Sequence, residues 1–402
     1  MILTTVRPRV TPVETTTRVK AARLDWMLMI AAAALLVAGA LLVWSATSAR
    51  GDAPTNTFVK HQLVNIAIGV VLGVMVAATD HRWVRILAPL VYLGSVAGLV
   101  LVLVMGSTIN GSRSWIEVGG LSVQPAEFAK LAVVIGMALL VAERTEGSAG
   151  RASGSQVGTV DVLGMLAIAG VPALLILAQP DLGTMLVLSA TVFGVLAVSG
   201  AGRGWLLGLF LGACAASVLA VRLHVLKAYQ LDRFMAFTNP TLDPRGAGYN
   251  TQQARIAIGG GGIFGQGLFH GSQTRAGFVP EQHTDFIFTV AGEELGLVGS
   301  AVLIALLAVV VWRALRIAMR ADDLFGRVAA AGIACWIGFQ AFQNIGMCLG
   351  IMPVTGVPLP LVSYGGSSMF AGLMALGLLQ NIHLRSAEGI GVARSRVTRS
   401  RF

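Results

Sequence analysis

Charge is what this 402-residue sequence has least of. Asp, Glu, Lys and Arg make up only 12% of it, about half the roughly 25% of an ordinary soluble domain. A fold with so little charge cannot clothe itself in a water-facing surface. Cysteine is nearly absent too. Cys214, Cys335 and Cys348 all fall inside apolar runs, with neither disulfide nor metal-ligand spacing, so small-residue packing is their expected role. No Walker A or dinucleotide fingerprint is present; glycine-rich Gly259 to Gly267 fits neither and reads as a flexible loop, or more weakly as a phosphate cradle. The net charge of +10 raises the question of nucleic acid. However, the basic residues sit beside apolar runs and not in one patch, and no nucleic-acid partner is expected.

What fills the chain is apolar sequence, 55% of all residues. Most of the long runs reach the roughly 17–25 residues that cross a hydrocarbon core of about 30 Å. Unpaired strand edges cannot face lipid, so the chain reads as an all-α polytopic membrane protein. Ten spans are expected, near 26–47, 62–79, 86–105, 127–142, 161–178, 184–200, 205–222, 286–312, 328–349 and 367–384. With the N-terminus inside, 19 of the 29 Lys and Arg fall in cytoplasmic segments and 8 in outer loops. The positive-inside rule therefore places both termini in the cytoplasm. Arg7, Arg9, Arg18, Lys20 and Arg23 resemble a signal-peptide n-region, but the run from Trp26 is too long for an h-region and reads as a retained first span. Residues 1–25 form a cytoplasmic tail, 26–384 a single transmembrane domain, and 385–402 a second cytoplasmic tail. Gly- and Ser-rich 146–158 reads as a linker. The large outer loop, about 223–285, carries turn signals at Asn239-Pro240 and Asp243-Pro244. Within it, Tyr249 to Ile258 is a candidate interfacial helix.

Ionisable groups in or beside spans are costly and are candidates for function by default. Glu127 and Lys130 share one face of span four at i, i+3; they read either as a self-neutralising pair or as a cavity lysine that meets an anion. Asp181, in Gln179-Pro180-Asp181-Leu182-Gly183-Thr184, reads as an N-cap or as a cavity carboxylate. The segment from Phe278 to Phe288 concentrates Glu281, His283 and Asp285 at the outer mouth of span eight. Asp285 lies where water gives way to lipid, a setting in which desolvation suits a carboxyl to general-base work. An N-cap is the plainer reading, and His283 is a rival base. Glu293 and Glu294, about two turns deeper, are expected to pair with a buried cation. Pro353 to Pro360, followed by Ser363-Tyr364-Gly365-Gly366-Ser367-Ser368, reads as a re-entrant outer loop, because such backbone is tolerated at membrane depth only inside protein or along a cavity.

Five of these pieces resemble, in order, the SEDS family (shape, elongation, division and sporulation), which includes RodA and FtsW. They are Gly111 to Ile116; Gln124 to Lys130; Gln179 to Thr184; Pro280 to Phe288 with Gly292 to Gly296; and Leu359 to Ser368. Thr355 to Pro360 is closer to the RodA branch. The resemblance implies a peptidoglycan glycosyltransferase in the bacterial cytoplasmic membrane, serving cell elongation or shape. Its substrates would be lipid II and the growing lipid-linked glycan. It implies Asp285 as the catalytic residue and Arg113, Glu127, Lys130 and Asp181 as characteristic polar residues of the cavity; Glu281, His283, Ser363 and Ser367 are further candidates. It also implies a class B penicillin-binding protein as partner and a divalent cation, Mg2+ or Mn2+, with no organic cofactor. A lipid II flippase and a non-catalytic scaffold for the transpeptidase are the competing readings.

Overall fold

The computed structural model describes residues 24–48, 57–109, 112–118, 121–147, 157–223, 237 and 246–399. The basic N-terminal tail, most of the 146–158 linker and both Asn/Asp-Pro turn signals lie outside them. The helices are α1 (Trp26–Ser48), α2 (Thr57–Ala78), α3 (His81–Met105), α4 (Pro125–Gly147), α5 (Thr159–Ala178), α6 (Leu182–Ser199) and α7 (Arg203–Arg222). They continue with α8 (Ala247–Gly260), α9 (Ser272–Ala276), α10 (Ile287–Glu294), α11 (Gly296–Arg320), α12 (Leu324–Leu349) and α13 (Gly366–Arg399). Nine of them, α1 to α7, α11 and α12, are long and apolar enough to cross a membrane among the described residues. The tenth expected span, 367–384, is the first half of α13, most of whose residues are buried in the bundle.

The centre of the bundle is α4 and α12, packed on each other, with α6 and α11 against α12 and with α3 and α5 against α4. On the other flank α13 lies along α2, and the close approach is made by glycines: a Cβ on Gly377 would strike the Gly73 backbone, and one on Gly69 the Leu373 side chain. Small residues let helices approach where lipid supplies no hydrophobic drive. α7 packs against α6 and has no buried residue.

Two corrections to the expected topology bear on the site. The 106–126 segment is not a plain loop. It holds three antiparallel strands in the order β1 (Ser107–Ile109), β2 (Ser112–Val118), β3 (Leu121–Val123), with Thr108 opposite Arg113 and Ile116 opposite Val123. Span eight is broken as well. Leu295 ends α10, and Gly296, at φ +67°, starts α11. The glycine-rich segment runs beside the break and is neither a flexible loop nor a phosphate cradle. Gln266 and Gly267 donate their N–H groups to Glu293 and Glu294 carbonyls, while Leu297 and Val298 donate to Gly262 and Ile263 carbonyls. The N–H groups of Gly261, Gly265, Gln266 and Gly267 are thus committed to protein, and a Cβ on Gly261 or Gly265 would meet the α10 backbone. The expected helix at 249–258 is α8.

Candidate active site

Four segments meet around a cavity of about 280 Å³: β2–β3, the α5–α6 turn, residues 281–285, and the stretch from Thr355 to Ser368. Asp181, Glu281 and Asp285 give it three carboxylates, and among the described residues no Lys or Arg lines it. Trp115 and Tyr364 add aromatic walls; burial raises the Tyr364 phenol above its usual range, so it stays a protonated hydroxyl at neutral pH. The stretch read as a re-entrant loop is buried in protein at Val354, Val357, Leu359 and Val362, and it lines this cavity, as expected of such backbone.

Each acid is placed by local chemistry. Asp181 is both an N-cap and a cavity residue. It accepts hydrogen bonds from Thr184 N–H at 2.9 Å and Thr184 Oγ1 at 2.8 Å, and a third from Gln124 Nε2 at 3.2 Å. Glu281, with φ +52°, opens a turn in which its carbonyl accepts from the N–H groups of Thr284 and Phe286. That turn carries Asp285 to the cavity wall. Asp285 is not the cap of α10: Phe286 holds that position, with no side-chain hydrogen bond. Asn344 Nδ2 donates to the Asp285 backbone carbonyl at 2.7 Å. The Asp285 carboxylate lies over Gly356, where Oδ2 would be 3.2 Å from an added Cβ. Gly356 also has φ +69°, so only glycine suits this position.

The other candidates disperse. Ser367 lines the cavity and accepts from Gln124 N–H at 2.8 Å. Ser363 is buried instead, accepting from Leu359 N–H at 2.8 Å, and it shapes the loop. His283 faces inward, packed edge-on to Phe58 with centroids 5.0 Å apart and against Tyr364; it is not a cavity residue. Arg113 does not reach the cavity either. Its guanidinium donates to Gly106 and Leu103 carbonyls at 2.7 and 3.0 Å, capping the end of α3. Lys130 is fully buried; Nζ donates to Glu127 Oε1 at 2.8 Å and to Gln340 Oε1 at 2.7 Å, with the Trp336 ring 5.2 Å away. The cavity-lysine reading fails on that geometry.

Glu293 and Glu294 lie in α10, outside the spanning helix, and among the described residues neither forms an ion pair with a cation. Glu293 accepts from Gln273 and Thr274 N–H groups at 2.7 and 2.9 Å and from the Ser272 and Thr274 hydroxyls. Glu294 accepts from Ser45 Oγ at 2.6 Å. Neutral donors meet both carboxylate oxygens of Glu293 and Oε1 of Glu294, while Oε2 of Glu294 is buried without a hydrogen bond.

The sequence reading passed over Trp115, Gln124, Thr355 and Gly356 in the wall, and the amides of α12 behind it. The signal for the amides was present, since Gln340, Gln343 and Asn344 recur at i, i+3, i+4 within an apolar helix. A search restricted to ionisable groups does not register them.

A membrane-spanning bundle with an acidic cavity walled by four segments defines a membrane-embedded protein with a candidate ligand site. Residues 25–388 match the profile of the FtsW/RodA/SpoVE family, described as cell cycle protein, and the chain belongs to that family. It is 39% identical to the Escherichia coli K12 peptidoglycan glycosyltransferase MrdB, across 90% of this chain and 93% of that one. It is 38% identical to the probable peptidoglycan glycosyltransferase FtsW of Allochromatium vinosum, across 92% of each chain. Among solved structures, it resembles a chain of a peptidoglycan synthase complex that coordinates polymerization and crosslinking (TM-score 0.74, 33% identity, 90% and 98% covered). It also resembles the rod shape determining protein RodA of Thermus thermophilus (TM-score 0.65, 31% identity, 90% and 96% covered).

Proposed function

We propose that this protein is a peptidoglycan glycosyltransferase of the bacterial cytoplasmic membrane, joining lipid II disaccharides into glycan strands with Asp285 as general base. The observation that carries the reading is the Asp285 carboxylate on the wall of a polar cavity within a membrane-spanning bundle. In the reaction a hydroxyl of one lipid-linked disaccharide attacks the anomeric carbon of another. The new glycosidic C–O bond forms as the sugar–phosphate bond breaks, and the lipid pyrophosphate departs with the bonding pair. Asp285 takes the proton of the attacking hydroxyl. Asp181, held by three donors, and the Ser367 hydroxyl orient sugar hydroxyls, and Trp115 and Tyr364 offer apolar faces.

The departing pyrophosphate needs positive charge, and the candidate cations of the protein are engaged elsewhere: Arg113 on helix carbonyls, Lys130 on Glu127 and Gln340. A divalent cation is the reading this supports. Among the described residues no group of three His, Cys, Asp or Glu could hold a metal. The acids of the cavity instead fit the Mg2+ habit of one or two carboxylates completed by substrate phosphates, with Glu281 as the holder and Asp285 left to act as base. Such an ion would neutralise charge on the leaving pyrophosphate. The two family relatives named as glycosyltransferases and the likeness to a synthase complex support the activity, and that complex supports a class B penicillin-binding protein as partner.

The test is polymerisation of labelled lipid II by the purified protein with its transpeptidase, beside Asp285→Asn, with and without chelator. Glycan strands from wild type, a fall of about 10²–10⁴-fold in the folded variant, and loss under chelation are expected. Strands from Asp285→Asn at the wild-type rate would refute the assignment. Wild type that makes no strands but moves lipid II across sealed liposomes would make it a flippase.

A further inference from the structure

Asp285 is one residue of a turn, and something must fix that turn against the loop opposite. The contacts converge on one helix. On α12, Asn344 is fully buried, and its Nδ2 donates both hydrogens: to the Asp285 carbonyl at 2.7 Å and to the Val357 carbonyl at 2.7 Å. Val357 follows Gly356, the residue beneath the Asp285 carboxylate. One primary amide therefore sets the distance between the peptide that carries the base and the peptide on which the base rests. The residue before it, Gln343, does the same through its Nε2 for the second acid. It donates to Thr355 Oγ1 at 2.8 Å and to the Gly183 carbonyl at 3.4 Å, in the turn that Asp181 caps. Gly183 is pressed onto this loop so closely that a Cβ would overlap Thr355. Neither amide lines the cavity.

We propose that Asn344 is the positioning residue of Asp285, clasping its turn to the 355–358 loop, with Gln343 holding the Asp181 turn to the same loop. This rests on the glycosyltransferase reading above. A buried amide with two short bonds to the two peptides in question is a poor general-purpose packing choice for a helix this apolar. Its role is geometric: misplacing a reacting group by about 1 Å costs on the order of 10²-fold in rate. A residue that acts only this way changes turnover and leaves substrate binding alone.

The experiment uses the full chain with its partner, measuring kcat and KM for lipid II and the melting temperature. Asn344→Leu keeps the branched side-chain shape but removes both donors; Asn344→Ser keeps one hydroxyl donor and serves if the first variant folds poorly. The expected result is kcat lowered on the order of 10²-fold in Asn344→Leu, less in Asn344→Ser, with KM within twofold of wild type. Wild-type kcat in either folded variant would overturn the proposal, as would a loss that merely tracks the unfolded fraction. Active wild type together with an unaffected Asn344→Leu sinks this inference alone, whereas inactive wild type sinks the glycosyltransferase reading and this one with it.

Discussion

α7 and α12 are both apolar helices long enough to span a membrane, yet they hold opposite places in the molecule. α12 buries 18 of its 26 residues and α7 none of its 20. The difference lies in what interrupts the apolar sequence. α12 carries small residues where helices cross and three amides on one face; α7 has no amides, and among the described residues its main packing partner is α6. Without water as a competitor, burial in such a bundle is governed by close approach and by hydrogen bonds to loop carbonyls. Hydrophobicity alone does not distinguish a central helix from a peripheral one.

The contrast is broken most severely at the ion pair behind α12. Lys130 meets Glu127 and Gln340 in a fully buried site, and removing one partner of such a pair costs about 3–5 kcal/mol because the other charge stays behind uncompensated. Lys130→Met is expected to lose that much stability in thermal melts. The double variant Glu127→Leu/Lys130→Met should recover most of it, since apolar replacement of a buried pair is often neutral. A Lys130→Met variant as stable as wild type would mean that the pair is not structural.

This pair also shows how far the sequence could be read. The i, i+3 spacing brought Glu127 and Lys130 together correctly, and the apolar runs located the spans, because both depend on local period. Whether Lys130 faced a cavity depended on Gln340, 210 residues away, and local spacing carries no information about that. Arg113 failed for the same reason: its acceptors are the end of α3, reached through a hairpin pairing that a seven-residue strand signals only weakly. Asp285 was legible from its place at the mouth of a span. The break at Gly296, which moves Glu293 and Glu294 out of that span, combines a glycine at φ +67° with the 261–267 segment packed against it, and only the glycine is visible in local sequence.

A second comparison puts one glycine from each helix side by side. A Cβ at Gly332 of α12 would lie 2.7 Å from a Val195 methyl and 2.8 Å from a Val134 methyl; at Gly212 of α7 it would meet nothing. Overpacking typically costs about 1–3 kcal/mol. Gly332→Ala should therefore be destabilised by that order, while Gly212→Ala should be neutral or slightly stabilised, since Ala favours a helix by up to about 1 kcal/mol over Gly. Equal effects at the two sites would show that α7 is packed against something in the working protein.

The smallest effect belongs to an ion pair that differs from Glu127–Lys130 chiefly in exposure. Asp80 precedes α3 and meets Arg385 of α13 at 2.7 Å in water. Its carboxyl is held below the usual range, first by the Arg82 backbone N–H and then by the Arg385 side chain. A lowered folded-state value means that this carboxylate stabilises the fold above its unfolded value, near 3.8, and that the benefit disappears as pH falls through the lower, folded-state value. Asp80→Asn should then melt slightly below wild type at pH 7 in low salt. The gap should begin to close as pH drops below about 3.8 and vanish below the folded-state value, and it should narrow at high salt, because exposed pairs are screened. A gap that persisted in acid would show that Asp80 acts through its shape as the cap of α3, not through its charge.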